Sequence, residues 1–203
     1  MTDKIPSVSE RTIMKTVQVR NITIGEGRPK ICVPIVGQTK EDILLEAGTF
    51  ARIPVDVVEW RVDWFEDVFD TDKVLDVAKD LQTVLKDTPI LFTFRTAKEG
   101  GEKAISNEDY KALNMAVAKS GYVDLIDVEA FTGEEIVKCM IQEAHSYGVK
   151  VIASNHDFDK TPDKDDIVGR LCKMQDLGAD IPKIAVMPQS KLDVLTLLSA
   201  TEE

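Results

Sequence analysis

The chain has 203 residues, 43% of them hydrophobic and 30% charged, a balance that suits a folded domain with a sizeable core and excludes a disordered or fibrous chain. Its 36 acidic residues against 25 Lys and Arg leave a net charge of −11, which argues against a nucleic-acid backbone or an anionic membrane as the main partner. No apolar run approaches the roughly 18 residues needed to span a bilayer, and Met1–Glu10 lacks the apolar core of a secretory signal. Cys32, Cys139 and Cys172 are odd in number and widely spaced, so they read as reduced thiols of a cytoplasmic protein. Two histidines and no His/Cys cluster give no reason to expect a metal site.

Residues 1–13 read as a loose leader, and 14–203 as one patterned domain without a linker. Thr16–Arg20 and Asn21–Ile24 alternate in polarity and end at Gly25 and Gly27, which predicts a small hairpin. Six apolar runs follow: Ile31–Val36, Val55–Arg61, Ile90–Arg95, Val123–Glu129, Val149–Ser154 and Pro182–Met187. Their starts lie 24, 35, 33, 26 and 33 residues apart, the size of a strand plus a helix. Helix starts are predicted at Thr39, Thr71, Ser106, Thr132 with Glu135 as a capping box, Thr161-Pro162 and Ser190. Gly148 and Gly178 stand where two helices should stop. Runs apolar on both faces, such as ICVPIV and ILFTF, predict a parallel sheet covered by helices. An α/β fold follows, with an open doubly wound sheet and a TIM-type (β/α)8 barrel as competing architectures. The absence of GxGxxG and GxxxxGK[ST] after any strand weakens the nucleotide-binding version.

Polar residues collect where the strands end. Glu59, Arg61 and Asp63 share one face at period two. Arg95 ends the third run, Glu129 the fourth, and Asn155-His156-Asp157 follows the fifth. Carboxyl-terminal strand ends are where barrel active sites are built. Lys183 interrupts an apolar strand, which fits an edge residue reaching water, half of a buried ion pair, or an amine that attacks a carbonyl. His156 fits either a loop cap or a general acid/base, and Glu99, in the loop after the third strand, either a solvated glutamate or the group that fixes the imidazole's tautomer. His145 reads as a charge near a helix end.

Taken together, EWRVD at 59–63, FTFRTAKEGGE at 92–102, FTG at 131–133, SNHDF at 154–158 and GADIPKIAVMPQ at 178–189 resemble the type I 3-dehydroquinate dehydratases, and the likeness runs from about Met14 to Ala200. The resemblance implies a TIM-type barrel of the shikimate pathway that dehydrates 3-dehydroquinate to 3-dehydroshikimate without metal or organic cofactor. It implies Lys183 as the Schiff-base lysine, His156 as the general acid/base, Glu99 as its partner, and Glu59, Arg61 and Arg95 as substrate-binding residues. It also implies a small-molecule substrate and relatives that often dimerise. Six βα units are counted where the family has eight, so the family's seventh and eighth strands, a further carboxylate-binding arginine and a Ser/Gln lid loop have no counterpart here. Pro34 stands where relatives often carry a small polar residue. An inactive fragment or interaction subunit of that family, and another Schiff-base lyase such as an aldolase, are the alternative readings.

Overall fold

The apolar runs become strands and the stretches between them helices in a computed structural model that describes residues 16–50 and 52–203. The leader expected over 1–13, and the domain start at Met14, lie outside the described residues. A hairpin of β1 (Val17–Val19) and β2 (Ile22–Ile24) comes first. Six βα units follow: β3 (Cys32–Ile35) with α1 (Lys40–Phe50), β4 (Val57–Arg61) with α2 (Thr71–Leu85), and β5 (Ile90–Thr93) with α3 (Asn107–Ser120). The second three are β6 (Leu125–Glu129) with α4 (Glu134–Ser146), β7 (Lys150–Asp157) with α5 (Lys164–Asp176), and β8 (Ile181–Val186) with α6 (Lys191–Glu202).

The strands are parallel and ordered β3-β4-β5-β6-β7-β8. A doubly wound sheet would reverse direction at a switch point, so this strictly sequential order decides for the barrel type. The sheet is also curled. β4 and β8 are four strands apart, which is about 19 Å across a flat sheet. Yet Glu59 Oε1 on β4 lies 4.0 Å from Lys183 Nζ on β8. Among the described residues β3 and β8 are the sheet edges. Accordingly, every residue of β8 is only half-buried, whereas every residue of central β5 and β6 is buried.

Strand parity sorts the inner face into layers. Val57, Leu91 and Leu125, with Ile152 and Ile181, pack against Val17, Val19, Ile22 and Ile24, so the hairpin plugs one end of the curl with apolar surface. Two residues further along each strand stand Glu59, Thr93, Asp127, Ser154 and Lys183; two further again stand Arg61, Arg95, Glu129 and His156. The outward face, with Val58, Trp60, Phe92, Ile126, Val128, Val151 and Ala153, joins the helices in the main core. The polar inner layers therefore occupy the carboxyl-terminal end of the curl, opposite the plug.

Helix ends depart from the sequence reading in three places. Thr39, Ser106 and Ser190 do cap: each side chain accepts from the backbone N–H three residues on, and Ser190 completes a capping box with Asp193. Before α2 the cap is Asp70, one residue earlier than Thr71, accepting from Lys73 N at 3.2 Å. Before α4 the Thr132 hydroxyl donates to the Glu129 carbonyl instead, and Gly133 at φ 135° precedes the helix, so no box forms with Glu135. The fifth helix begins at Lys164, two residues beyond Pro162, because Thr161 is drawn to the Met187 carbonyl. Gly148 and Gly178, at φ 78° and 101°, do close α4 and α5.

Candidate active site

Each candidate residue is carried to one place by the register. Lys183 pairs with Ser154 and Ser154 with Glu129 across three adjacent strands, and Asp127, two residues before Glu129, reaches both the hydroxyl and the amine. β7 runs on to Asp157, which puts His156 inside the strand rather than after it. Glu59, Arg61, Arg95, Glu99, Gly100, His156, Phe158 and Lys183 line a single cavity of about 90 Å³. All six residues singled out by the sequence for chemistry or substrate binding are among them.

Lys183 Nζ lies 3.3 Å from Asp127 Oδ2. Asp127 is fully buried, and its other oxygen accepts from Arg95 Nη2 at 2.9 Å and from Ser154 Oγ at 2.5 Å. Burial alone would raise the Asp127 pKa, but Arg95, Lys183 and the Ser154 hydroxyl outweigh it and hold the carboxyl below its ordinary value. Arg95, only 3% exposed, also bonds Glu129 and Ser154 through Nη1, both at 3.0 Å. Burial works against its charge, and Asp127 and Glu129 more than offset that, so the guanidinium is held as a cation. Glu129 goes the other way: burial raises it despite bonds from Thr96 and the nearby Arg95. Arg95 bonds both carboxylates, but Asp127 also has Lys183 beside it, whereas the other donors to Glu129 are the uncharged N–H and hydroxyl of Thr96. Glu129 is the easier of the two to protonate.

The histidine is fixed by its neighbour. Glu99 Oε2 lies 2.8 Å from His156 Nδ1 and accepts from the His156 backbone N–H at 3.1 Å, while Oε1 accepts from Asn155 Nδ2 at 3.3 Å. With Nδ1 directed at a carboxylate, Nε2 is the ring nitrogen left to trade protons. Among the described residues it has no hydrogen-bond partner. The Phe158 ring stacks alongside at 6.1 Å with an interplanar angle of 13°. Glu99 itself sits in a single 3-10 turn, Ala97–Glu99, closed by Gly100 at φ 82°. Any Cβ at Gly100 would meet the Phe158 ring at 2.5 Å.

Arg61 is engaged by a two-pronged pair with Asp63, 2.8 and 2.9 Å. Asp63, read from sequence as a third residue on the strand face, instead lies in the 3-10 turn after β4. There it is buried and also accepts from the Arg95 and Glu102 backbone N–H groups, tying the ends of β4 and β5 together. Glu59 accepts from Thr93 Oγ1 at 2.8 Å. His145 stands away from the cavity, 2.7 Å from Asp180.

Three parts of the site escaped the sequence reading: Asp127, Ser154 and Phe158. Asp127 carried a signal, since a carboxylate two residues before Glu129 in an apolar strand must share its face. Ser154 and Phe158 carried none outside the motifs that contain them.

Comparison with known proteins agrees over nearly the whole described chain. Residues 31–203 match the family model described as type I 3-dehydroquinase. A 3-dehydroquinate dehydratase of Clostridioides difficile is 56% identical over 189 residues, covering 93% of this chain and 74% of that protein. One from Listeria monocytogenes serotype 4a is 58% identical over 188 residues, covering 93% and 75%. The crystal structure of a type I 3-dehydroquinate dehydratase from Clostridium difficile with covalently modified comenic acid superposes with a TM-score of 0.91 at 56% identity, over 92% of this chain and 74% of that one. The chain thus spans about three-quarters of the length of these relatives. Its strand order, its curl and its order of motifs all follow: the chain belongs to the type I 3-dehydroquinase family.

Proposed function

We propose that this chain dehydrates 3-dehydroquinate to 3-dehydroshikimate, with Lys183 as the Schiff-base lysine and His156 as the general acid/base. One observation carries the reading: the Lys183 amine and a histidine anchored through Nδ1 by Glu99 line the same cavity. The amine adds to the ketone, and loss of water leaves an iminium. That cation acidifies the adjacent C–H, because the electrons released can be stored as an enamine. His156 takes the proton and returns it to the departing hydroxyl, which leaves as water; hydrolysis then frees the lysine. Glu99 orients the ring. Glu59, Arg61 and Arg95 face the substrate's hydroxyls and carboxylate, a match of donors and charge. The electron sink is made from the protein's own amine, so the scheme draws on no cofactor. Cys32, Cys139 and Cys172 are free and exposed, which fits a reducing, cytoplasmic setting.

That β3 and β8 are sheet edges among the described residues favours one second reading, a chain that binds without turning over. Borohydride trapping with 3-dehydroquinate, followed by peptide mass mapping, tests both. A reduced adduct on Lys183, absent from Lys183→Ala, with product formed by the parent and not by His156→Ala, is the expected result. An adduct without product in the parent supports the second reading. An adduct that persists in Lys183→Ala overturns the assignment.

A further inference from the structure

Asp127 sits two residues into the curl from Glu129 and reaches the nitrogen on which the proposed chemistry turns. Its Oδ2 faces Lys183 Nζ at 3.3 Å, and its Oδ1 is shared by Arg95 and Ser154. Other charged and titratable groups approach from every packed element. Glu59 on β4 is the second acid near the lysine, but at 4.0 Å it is beyond hydrogen-bond reach, and Thr93 occupies the same Oε1. Although Cys32 as a residue is exposed, protein crowding around its thiol, and then Glu59, push that thiol up to about 12, so it adds no anion near neutral pH. Glu129 and Glu99 turn toward Thr96 and His156. From α3 the Tyr110 hydroxyl donates to the Asp127 backbone carbonyl at 3.2 Å and accepts from the Glu129 backbone N–H at 3.1 Å, so it engages backbone rather than a carboxylate. Asp127 is therefore the carboxylate within bonding distance of the amine.

We infer that Asp127 is the counter-ion of the Lys183 nitrogen, first as ammonium and then as iminium, and that Ser154 and Arg95 temper its hold. The inference rests on the Schiff-base reading above. The charge arithmetic explains why one fixed carboxylate serves both ends. An ammonium gives up a proton, the neutral amine adds to the ketone carbon, and the resulting hydroxyl takes a proton and leaves as water. The C=N nitrogen keeps one hydrogen and the positive charge, so the step begins and ends with a single cation at the same atom. Between them lies a neutral carbinolamine that the carboxylate does not favour. Asp127 accordingly resists the first deprotonation and drives the collapse to iminium. By drawing on Oδ1, Ser154 and Arg95 keep the first effect from dominating.

The test is the pH dependence of borohydride trapping, read on the parent, Asp127→Asn and Ser154→Ala. In Asp127→Asn the acid limb of trapping moves down by about one pH unit or more, the size expected when a charge this close is removed. Turnover at the optimum falls at least about tenfold, because the iminium loses its counter-ion. In Ser154→Ala the limb moves the opposite way, upward, as the carboxylate turns more fully to the amine. A residue that only supports the fold would shift neither limb. Should Asp127→Asn fail to fold by circular dichroism, the Ser154→Ala limb decides alone. A limb that stays put or moves down in Ser154→Ala, or stays put in a folded Asp127→Asn, overturns the inference while leaving parent trapping on Lys183 intact. A parent that traps nothing on Lys183 overturns the Schiff-base reading and this inference with it.

Discussion

Gly101→Ala should disable the site while sparing the fold. The segment from Thr96 to Lys103 folds back on itself: Gly101 N–H donates to the Thr96 carbonyl at 2.9 Å, and Glu102 N–H is held by Asp63 at 3.1 Å. A Cβ on Gly101 would stand 1.9 Å from the Arg95 carbonyl oxygen and 2.4 Å from its carbon, both backbone atoms that no rotamer change can move. Ordinary contact begins near 3.4 Å, so the loop must retreat by about 1.5 Å, the difference 3.4 − 1.9. Glu99, two residues before, then slides out of reach of His156 Nδ1, now 2.8 Å away. A displacement of about 1 Å in a catalytic constellation costs on the order of a hundredfold in rate. Turnover, followed through the ultraviolet absorbance of the conjugated enone product, should fall by about that factor. The matched control is Gly48→Ala in α1, where an added Cβ meets nothing within 4 Å. It should raise stability by roughly 0.5–1 kcal/mol and leave the rate alone. A Gly101→Ala variant with turnover within about threefold of the parent would refute the claim that this backbone approach places Glu99.

Arg95→Met should destabilise the chain by about 3–5 kcal/mol in denaturant unfolding, because it strands Asp127 and Glu129 without their shared cation. A loss below about 1 kcal/mol would mean that Lys183 and Ser154 suffice for Asp127. Asp180 gives a pH signature. Burial would raise its pKa, but the Val151 N–H, His145 and Lys150 outweigh burial and depress it below the ordinary 3.8. A depressed carboxylate contributes stability above its unfolded value and loses it as pH falls through the folded one. Melting temperature of the parent should therefore drop as pH falls below about 4, and Asp180→Asn should be less stable at neutral pH with a flatter acid limb. Parallel limbs would count against the reasoning.

The βα alternation was legible because strands covered on both faces must be apolar throughout, and because Ser and Thr mark helix starts by a local bond. Whether the sheet closes or winds both ways is a long-range matter, and no residue pattern encodes it; the family likeness and the observed strand order decide it. Lys183 stood out because it breaks an apolar strand and His156 because it follows one, whereas Glu99, in a charged loop, stood out only through the family motif. Asp127 did not, since LIDVE ends on Glu129 and strand register sets Glu129 opposite Ser154; only the folded side chains bring Asp127 to Ser154 and Lys183. Arg95 was legible as a site residue but not as the hub of buried acids, because those partners lie on β6, 32 and 34 residues away. Thr132 misled for a local reason: its hydroxyl donates to the Glu129 carbonyl instead of accepting from an N–H of the helix start.

The sequential strand order bears on how the molecule is made. Synthesis proceeds at about 5–20 residues per second, so a βα unit of roughly 30 residues leaves the ribosome every few seconds. Every strand from β4 onward pairs with the one made just before it. From β4 onward each strand finds a partner already translated, and at any moment the growing sheet offers its newest edge to the segment emerging next. The amine and its buried acid, on β8 and β6, come together only once β8 has been made, so the reactive centre forms after β3 to β7 and their outward core have been laid down.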